Sequence, residues 1–211
     1  MTGVLDMESD KRRNSAGYGN KILNMAIVAL MTAFICVISP FSIQLPGQVP
    51  ISLSFAALYL TVYLLGGVKG TICCALYLLI GLIGIPVFSN FGSGIGKLAG
   101  PTGGYLIGYI FLTAICGAAL YIGKGRIWVY IIGMVLGGIV AYFFGSLWFM
   151  YSMETSLKYT LGACVFPFIP FDIAKIAAVA VIGPLIKKLL RRTNGLDSVI
   201  AYLNPQKPKS A

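Results

Sequence analysis

The sequence predicts an all-α membrane protein: one bundle of six transmembrane helices, with ordered loops folding over its outer mouth. Three observations predict it. Of 211 residues, 58% are hydrophobic and only 10% charged, where soluble domains carry about 25% charged residues. Six apolar segments approach or exceed the roughly 20 residues that a helix needs to cross a hydrocarbon core. Finally, the basic residues fall on alternate sides of those segments as flanks of membrane spans do.

The chain opens with a polar tail, residues 1–21. The predicted spans follow at Ile22–Phe41, Ile51–Leu65, Lys69–Val87, Gly104–Ile122, Ile127–Tyr151 and Thr160–Leu190. Together residues 22–190 form one membrane domain, and residues 191–211 make a basic tail. The first apolar run is too long for a signal-peptide core and has no small-residue cleavage pattern, so it reads as a retained span. The second is short for a full crossing. The sixth is interrupted by Pro167, Pro170 and Pro184.

Orientation follows from charge. With a cytoplasmic N-terminus, 13 of the 16 Lys and Arg residues lie inside, Lys97 and Lys158 lie outside, and Lys175 lies within a span. This bias favours six spans with both termini in the cytoplasm, in a cell membrane. The net charge of +10 is therefore not a nucleic-acid signal, since no RNA-binding aromatic motif or basic amphipathic repeat accompanies it.

Cys36, Cys73, Cys74, Cys116 and Cys164 lie in apolar runs without a CxxC pair and read as small buried hydrophobes. The chain has no histidine, which removes His-ligated metal or haem sites and Ser–His catalysis. An intramembrane enzyme has little to work with here, and the sequence predicts a non-enzyme without metal or cofactor.

Within the spans the acidic inventory is a single residue, Asp172, in "FPFIPFDIAKIAAVAVIG" (Phe166–Gly183). Lys175 follows three residues later, on the same helix face. Ionisable groups in a membrane bundle are expensive and tend to face its interior. Two readings fit the pair. It is a binding site on the outer side of the last helix, or Asp172 caps a helix begun by Pro170 and Lys175 merely neutralises it.

In "GIPVFSNFGSGIGKLAGPTGGYLIG" (Gly84–Gly108), eight of 25 residues are Gly, too many for a helix interior. Irregular backbone near a bilayer must be buried in protein or line a cavity, so this stretch is expected to cap the outer mouth. Asn90 offers an acceptor and two donors there, or is an ordinary turn residue. "GSGIGK" (Gly92–Lys97) lacks phosphate-loop spacing, because Leu98 follows the lysine. Pro46, Gly47 and Pro50 make a turn before the second span, with Gln44 and Gln48 at its edge. Tyr59, Tyr63, Tyr77 and Tyr105 could wall a ligand, though for each one taken alone packing or the interfacial belt is the better explanation.

Three stretches, "LPGQVPISL" (Leu45–Leu53), "YLLIGLIGIPVFSNFGSGIGKLAGPTGGYLIGY" (Tyr77–Tyr109) and "FIPFDIAKIAAVAVIGP" (Phe168–Pro184), resemble the BioY family. These are biotin-binding S components of energy-coupling factor (ECF) vitamin transporters. The resemblance implies a six-helix S-component fold that captures biotin near the outer surface, under capping loops. It also implies docking onto a membrane coupling subunit that carries two ATPase subunits, which alone consume ATP. Ligand positions carry over to Asn90, Asp172 and Lys175, with Gly103, Gly104 and Tyr105 as backbone and wall. Ala26, Ala29 and Ala33 of the first span carry over as the docking face. The alternative is a secondary transporter of another small organic anion, with Asp172 as proton carrier and Lys175 as substrate anchor.

Overall fold

The computed structural model describes residues 21–44 and 49–192, with side chains through Leu189. The polar tail expected over residues 1–21 therefore lies outside the described residues except for Lys21. Outside them too are the turn at Pro46 and Gly47, Gln48, and most of the basic tail.

The structure is helical, as composition requires. Four helices are long and apolar enough to cross a membrane: α1 (Lys21–Ile38), α5 (Gly103–Ile122), α6 (Ile127–Met153) and α8 (Ile169–Arg192). Two shorter apolar helices, α2 (Ser54–Leu65) and α3 (Gly67–Leu82), complete the bundle. At 1.5 Å per residue these two are only about 18 and 24 Å long.

The places where helices begin and end have local causes. α1 stops before Pro40, which cannot donate a backbone hydrogen bond and disfavours helix in the residue before it. The chain then forms a small antiparallel hairpin, β1 (Ser42–Gln44) with β2 (Pro50–Ser52), pairing Ile43 with Ile51. Part of the predicted second span is thus strand, and α2 starts three residues later. Pro50 fits there because it is the first residue of the strand, a position where its missing N–H is tolerated. Gly66, at φ 84°, turns α2 directly into α3. α3 ends at Leu82 rather than Val87, because the chain turns back there to bury Phe88 against Tyr77 (centroids 5.5 Å apart). The glycine-rich stretch then forms a 3₁₀ turn (Ser89–Phe91) and the short helix α4 (Gly94–Ala99).

α5 and α6 form the most extensive helix pair, and small residues make its seam. A Cβ on Gly104 would lie 2.3 Å from Trp148 Cβ, one on Gly108 2.9 Å from Ala141 Cα, and one on Gly133 2.3 Å from Ala119 Cβ. In lipid such close approach substitutes for the hydrophobic drive between helices. α2 is tied to α6 by two buried bonds: Tyr59 Oη donates to the Met134 carbonyl (3.0 Å), and Tyr130 Oη to the Tyr59 carbonyl (2.6 Å).

The predicted sixth span divides in two. α7 (Leu157–Cys164) is capped by Ser156, whose Oγ accepts from the Tyr159 N–H, and the chain turns through Pro167 into α8. Pro170 lies in the first turn of α8, where its missing N–H costs nothing. Residues of α2, α3, α5 and α6 form the buried core. α1 and α8 contribute fewer buried positions and leave long apolar faces outward.

Candidate functional site

Asp172 stands in the first turn of α8, and Lys175 one turn further. Lys175 Nζ lies 2.9 Å from Asp172 Oδ1, with side-chain exposures of 10% for Lys175 and 13% for Asp172. The opposite oxygen of the carboxylate, Oδ2, accepts a hydrogen bond from Tyr142 Oη on α6. Both carboxylate oxygens are therefore held, one from its own helix and one from a neighbour. Lys175 Nζ also sits 5.6 Å from the centre of the Phe55 ring at the start of α2. A cation over an aromatic face gains about 0.5–2 kcal/mol, more as water is excluded.

These groups line a half-open cleft. Its aromatic walls are Phe55, Tyr105, Tyr109, Tyr142 and Phe168, and Ser52, Ser89 and Thr102 add hydroxyls. Ring contacts stiffen those walls: Phe55 meets Tyr109 edge-on at 5.4 Å, and Tyr105 meets Tyr142 edge-on at 6.1 Å. Among the lining residues Asp172 and Lys175 are the charged ones, so the cleft holds one charge of each sign. Chemically it offers a carboxylate acceptor, an ammonium donor and flat apolar surface.

Of the residues singled out in the sequence, Asp172, Lys175 and Tyr105 come together here. Tyr105 presents its ring to the cleft and donates its hydroxyl to the Cys164 carbonyl at 3.3 Å. Gly103 and Gly104 stand beside the cleft but face away. A Cβ on Gly103 would lie 1.6 Å from the Leu98 carbonyl oxygen, and Gly104 is pressed against α6. Asn90 is exposed and engaged with β1. Its Oδ1 accepts from Ser42 Oγ (2.6 Å), its Nδ2 donates to Gln44 Oε1, and its backbone N–H reaches Pro40 O (3.1 Å) and Ser42 Oγ (2.9 Å). Its left-handed backbone (φ 58°) is one that Asn tolerates better than most residues. Asn90 thus ties the glycine-rich loop to the hairpin, and the adjacent Ser89 lines the cleft.

Lys97 lays its stem beside Gly92 in the same loop, and burial holds its ammonium below the usual lysine pKa. Ala26, Ala29 and Ala33 are all exposed along one side of α1. The sequence reading passed over Tyr142 and Phe55. Each is one aromatic among many in an apolar helix, and only the meeting of α2, α6 and α8 sets them apart.

Fold and cleft define a helical bundle with membrane-length apolar helices and an aromatic cleft that holds one charge of each sign. The chain belongs to the BioY family, whose pattern it matches over residues 10–192. It is 31% identical over 174 residues to the biotin transporter BioY2 of Lactococcus lactis subsp. cremoris, covering 82% of this chain and 95% of that one. It is 34% identical over 160 residues to the biotin transporter BioY of Thermotoga maritima, covering 76% and 93%. Among solved structures it is similar to the S-component for biotin from an ECF-type ABC transporter. That match has a TM-score of 0.74 at 29% identity and covers 81% of this chain and 93% of the other.

Proposed function

We propose that this protein is the biotin-binding S component of an ECF-type transporter. The observation that carries the reading is the Asp172–Lys175 pair, shielded in an aromatic cleft of a BioY-family bundle. A ureido group has two N–H donors and a carbonyl acceptor, and the pair supplies an acceptor and a donor 2.9 Å apart. In a low-dielectric cleft both interactions are stronger than in water. Tyr105 and Phe55 suit the fused rings and the aliphatic chain as walls. Asn90, Gly103 and Gly104 serve the site by holding the capping loop and the start of α5 in place.

The wider arrangement belongs to the same proposal. All six apolar helices cross the membrane, α2 and α3 being completed by the hairpin and loop segments. The basic ends of the helices lie in the cytoplasm with both termini, and the cleft opens outward. Ala26, Ala29 and Ala33 form a flat face on α1 for a membrane coupling subunit with two attached ATPase subunits, so this chain binds and delivers biotin but is no enzyme.

Uptake of labelled biotin into vesicles tests this reading. Vesicles holding this chain with an ECF coupling and ATPase module are expected to accumulate biotin on addition of ATP, and vesicles holding the chain alone are not. Robust concentrative uptake by the chain alone, driven by a proton gradient, contradicts it and favours a secondary transporter.

A further inference from the structure

The turn that leads into α5 delivers Thr102 and Tyr105 to the cleft wall. Its own geometry is tight. Pro101 takes the first corner, Thr102 lies at φ −93° and ψ −1°, and the Gly103 N–H returns to the Gly100 carbonyl at 3.0 Å. A carbonyl oxygen can accept twice, and the second bond comes from across the bundle. Trp148 Nε1, on α6, donates to Gly100 O at 2.9 Å.

The same indole accounts for the glycine pair that follows. A Cβ on Gly104 would lie 2.3 Å from Trp148 Cβ, and one on Gly103 would lie 3.1 Å from Trp148 Nε1. Without side chains at these two positions, the indole can reach the turn. Trp128, at the opposite end of α6, shows the ordinary alternative. It is 77% exposed, as a belt residue at a membrane interface is, whereas Trp148 is half-buried and spends its N–H inside the protein.

Resting on the biotin reading of this cleft, we infer that Trp148 is a positioning residue for the site. Its indole N–H pins the Gly100–Gly103 turn to α6 and so sets Thr102 and Tyr105 against the ligand. Trp148 itself is not among the cleft-lining residues, so it acts through the turn. Without the N–H the turn keeps its internal bond from Gly103 but loses its tie to α6. The ligand must then order the turn as it binds, and that ordering lowers its affinity.

The test separates the N–H from the bulk of the ring. The chain has two tryptophans, so a Trp128→Phe background leaves position 148 as the one to replace. Calorimetry with biotin on the purified full chain compares 5-fluorotryptophan there, which keeps the N–H, with 3-benzothienylalanine, which keeps the fused rings but has sulfur in its place. The fluorotryptophan protein is expected to bind within about twofold of wild type and the benzothienylalanine protein about fivefold more weakly, the scale of one neutral hydrogen bond. Trp148→Phe, which also leaves a void against Gly104, is expected to lose about tenfold or more. Should that variant fail to fold, the two isosteres decide alone. Equal affinity of the two isosteres overturns the inference. So does a benzothienylalanine protein that melts lower yet binds biotin as wild type does, because the bond is then structural only. A wild type that ignores biotin overturns the biotin reading and this inference together, whereas biotin bound equally well with and without the N–H overturns only the inference.

Discussion

Lys175 Nζ lies 2.9 Å from Asp172 Oδ1 across a single helical turn, with the side chains only 10% and 13% exposed. A shielded pair of this kind is a poor source of stability, because desolvation offsets most of its attraction. Removing one partner is the costly change, since it leaves an unmatched charge. In Asp172→Asn or Lys175→Met, biotin affinity is therefore expected to fall by a factor of about 100 or more. The double variant loses no more than the worse single one, because the two residues act as a unit. Its thermal unfolding stays close to wild type. Titration calorimetry checks the first two outcomes and a melting curve in detergent the third.

Asn90 connects the glycine-rich loop to β1 through Ser42 and Gln44, 48 and 46 residues away. Asn90→Ala removes both side-chain bonds and leaves alanine at φ 58°, whereas Asn90→Gly removes the bonds but accepts the backbone. The expected order of biotin dissociation is wild type slowest, then N90G, then N90A. Association rates change less, since the Asp172–Lys175 pair is untouched. Stopped-flow measurements of both rates decide it.

Where α3 begins, Gly67 crosses Gly117 of α5, and a Cβ on Gly117 would lie 2.3 Å from Gly67 Cα. No rotamer relieves a clash against backbone. Gly117→Ala is expected to cost about 1–3 kcal/mol, the scale of overpacking, and to lower the melting temperature. Biotin affinity is left near wild type, because Gly117 is not among the cleft-lining residues.

The exposed face made by Ala26, Ala29 and Ala33 gives a prediction that separates binding from transport. Ala29→Leu with Ala33→Leu adds bulk on a surface that faces away from the core. Biotin binding to the isolated protein is expected to stay within about twofold, while ATP-driven uptake with the partner module falls at least tenfold. Parallel binding and vesicle uptake measurements read the two effects.

Much of this structure was legible in the sequence. Apolar length marked the helices, and an acid and a base in an oily helix marked α8 as special because such charges are rare in membrane spans. Legibility failed where tertiary contacts override local pattern. The start of the second apolar run became β2 because Ile51 pairs with Ile43 in the preceding segment. The final run broke into α7 and α8 around Pro167. Asn90 has the donors and acceptor of a ligand contact, and only the folded hairpin shows its Oδ1 and Nδ2 engaged with Ser42 and Gln44. Tyr142 carries no local signal at all: in a helix that also holds Tyr130, Phe143, Phe144 and Phe149, nothing but the approach of α8 distinguishes it.

The most direct test of the central claim is a biotin titration of the purified protein beside its Lys175→Met variant, which removes the ammonium and keeps the length of the side chain. The expected result is saturable one-to-one binding by the wild type, weakened by a factor of about 100 or more in the variant. Equal affinity in the two proteins, or no binding by the wild type, would contradict a biotin site built on Asp172 and Lys175.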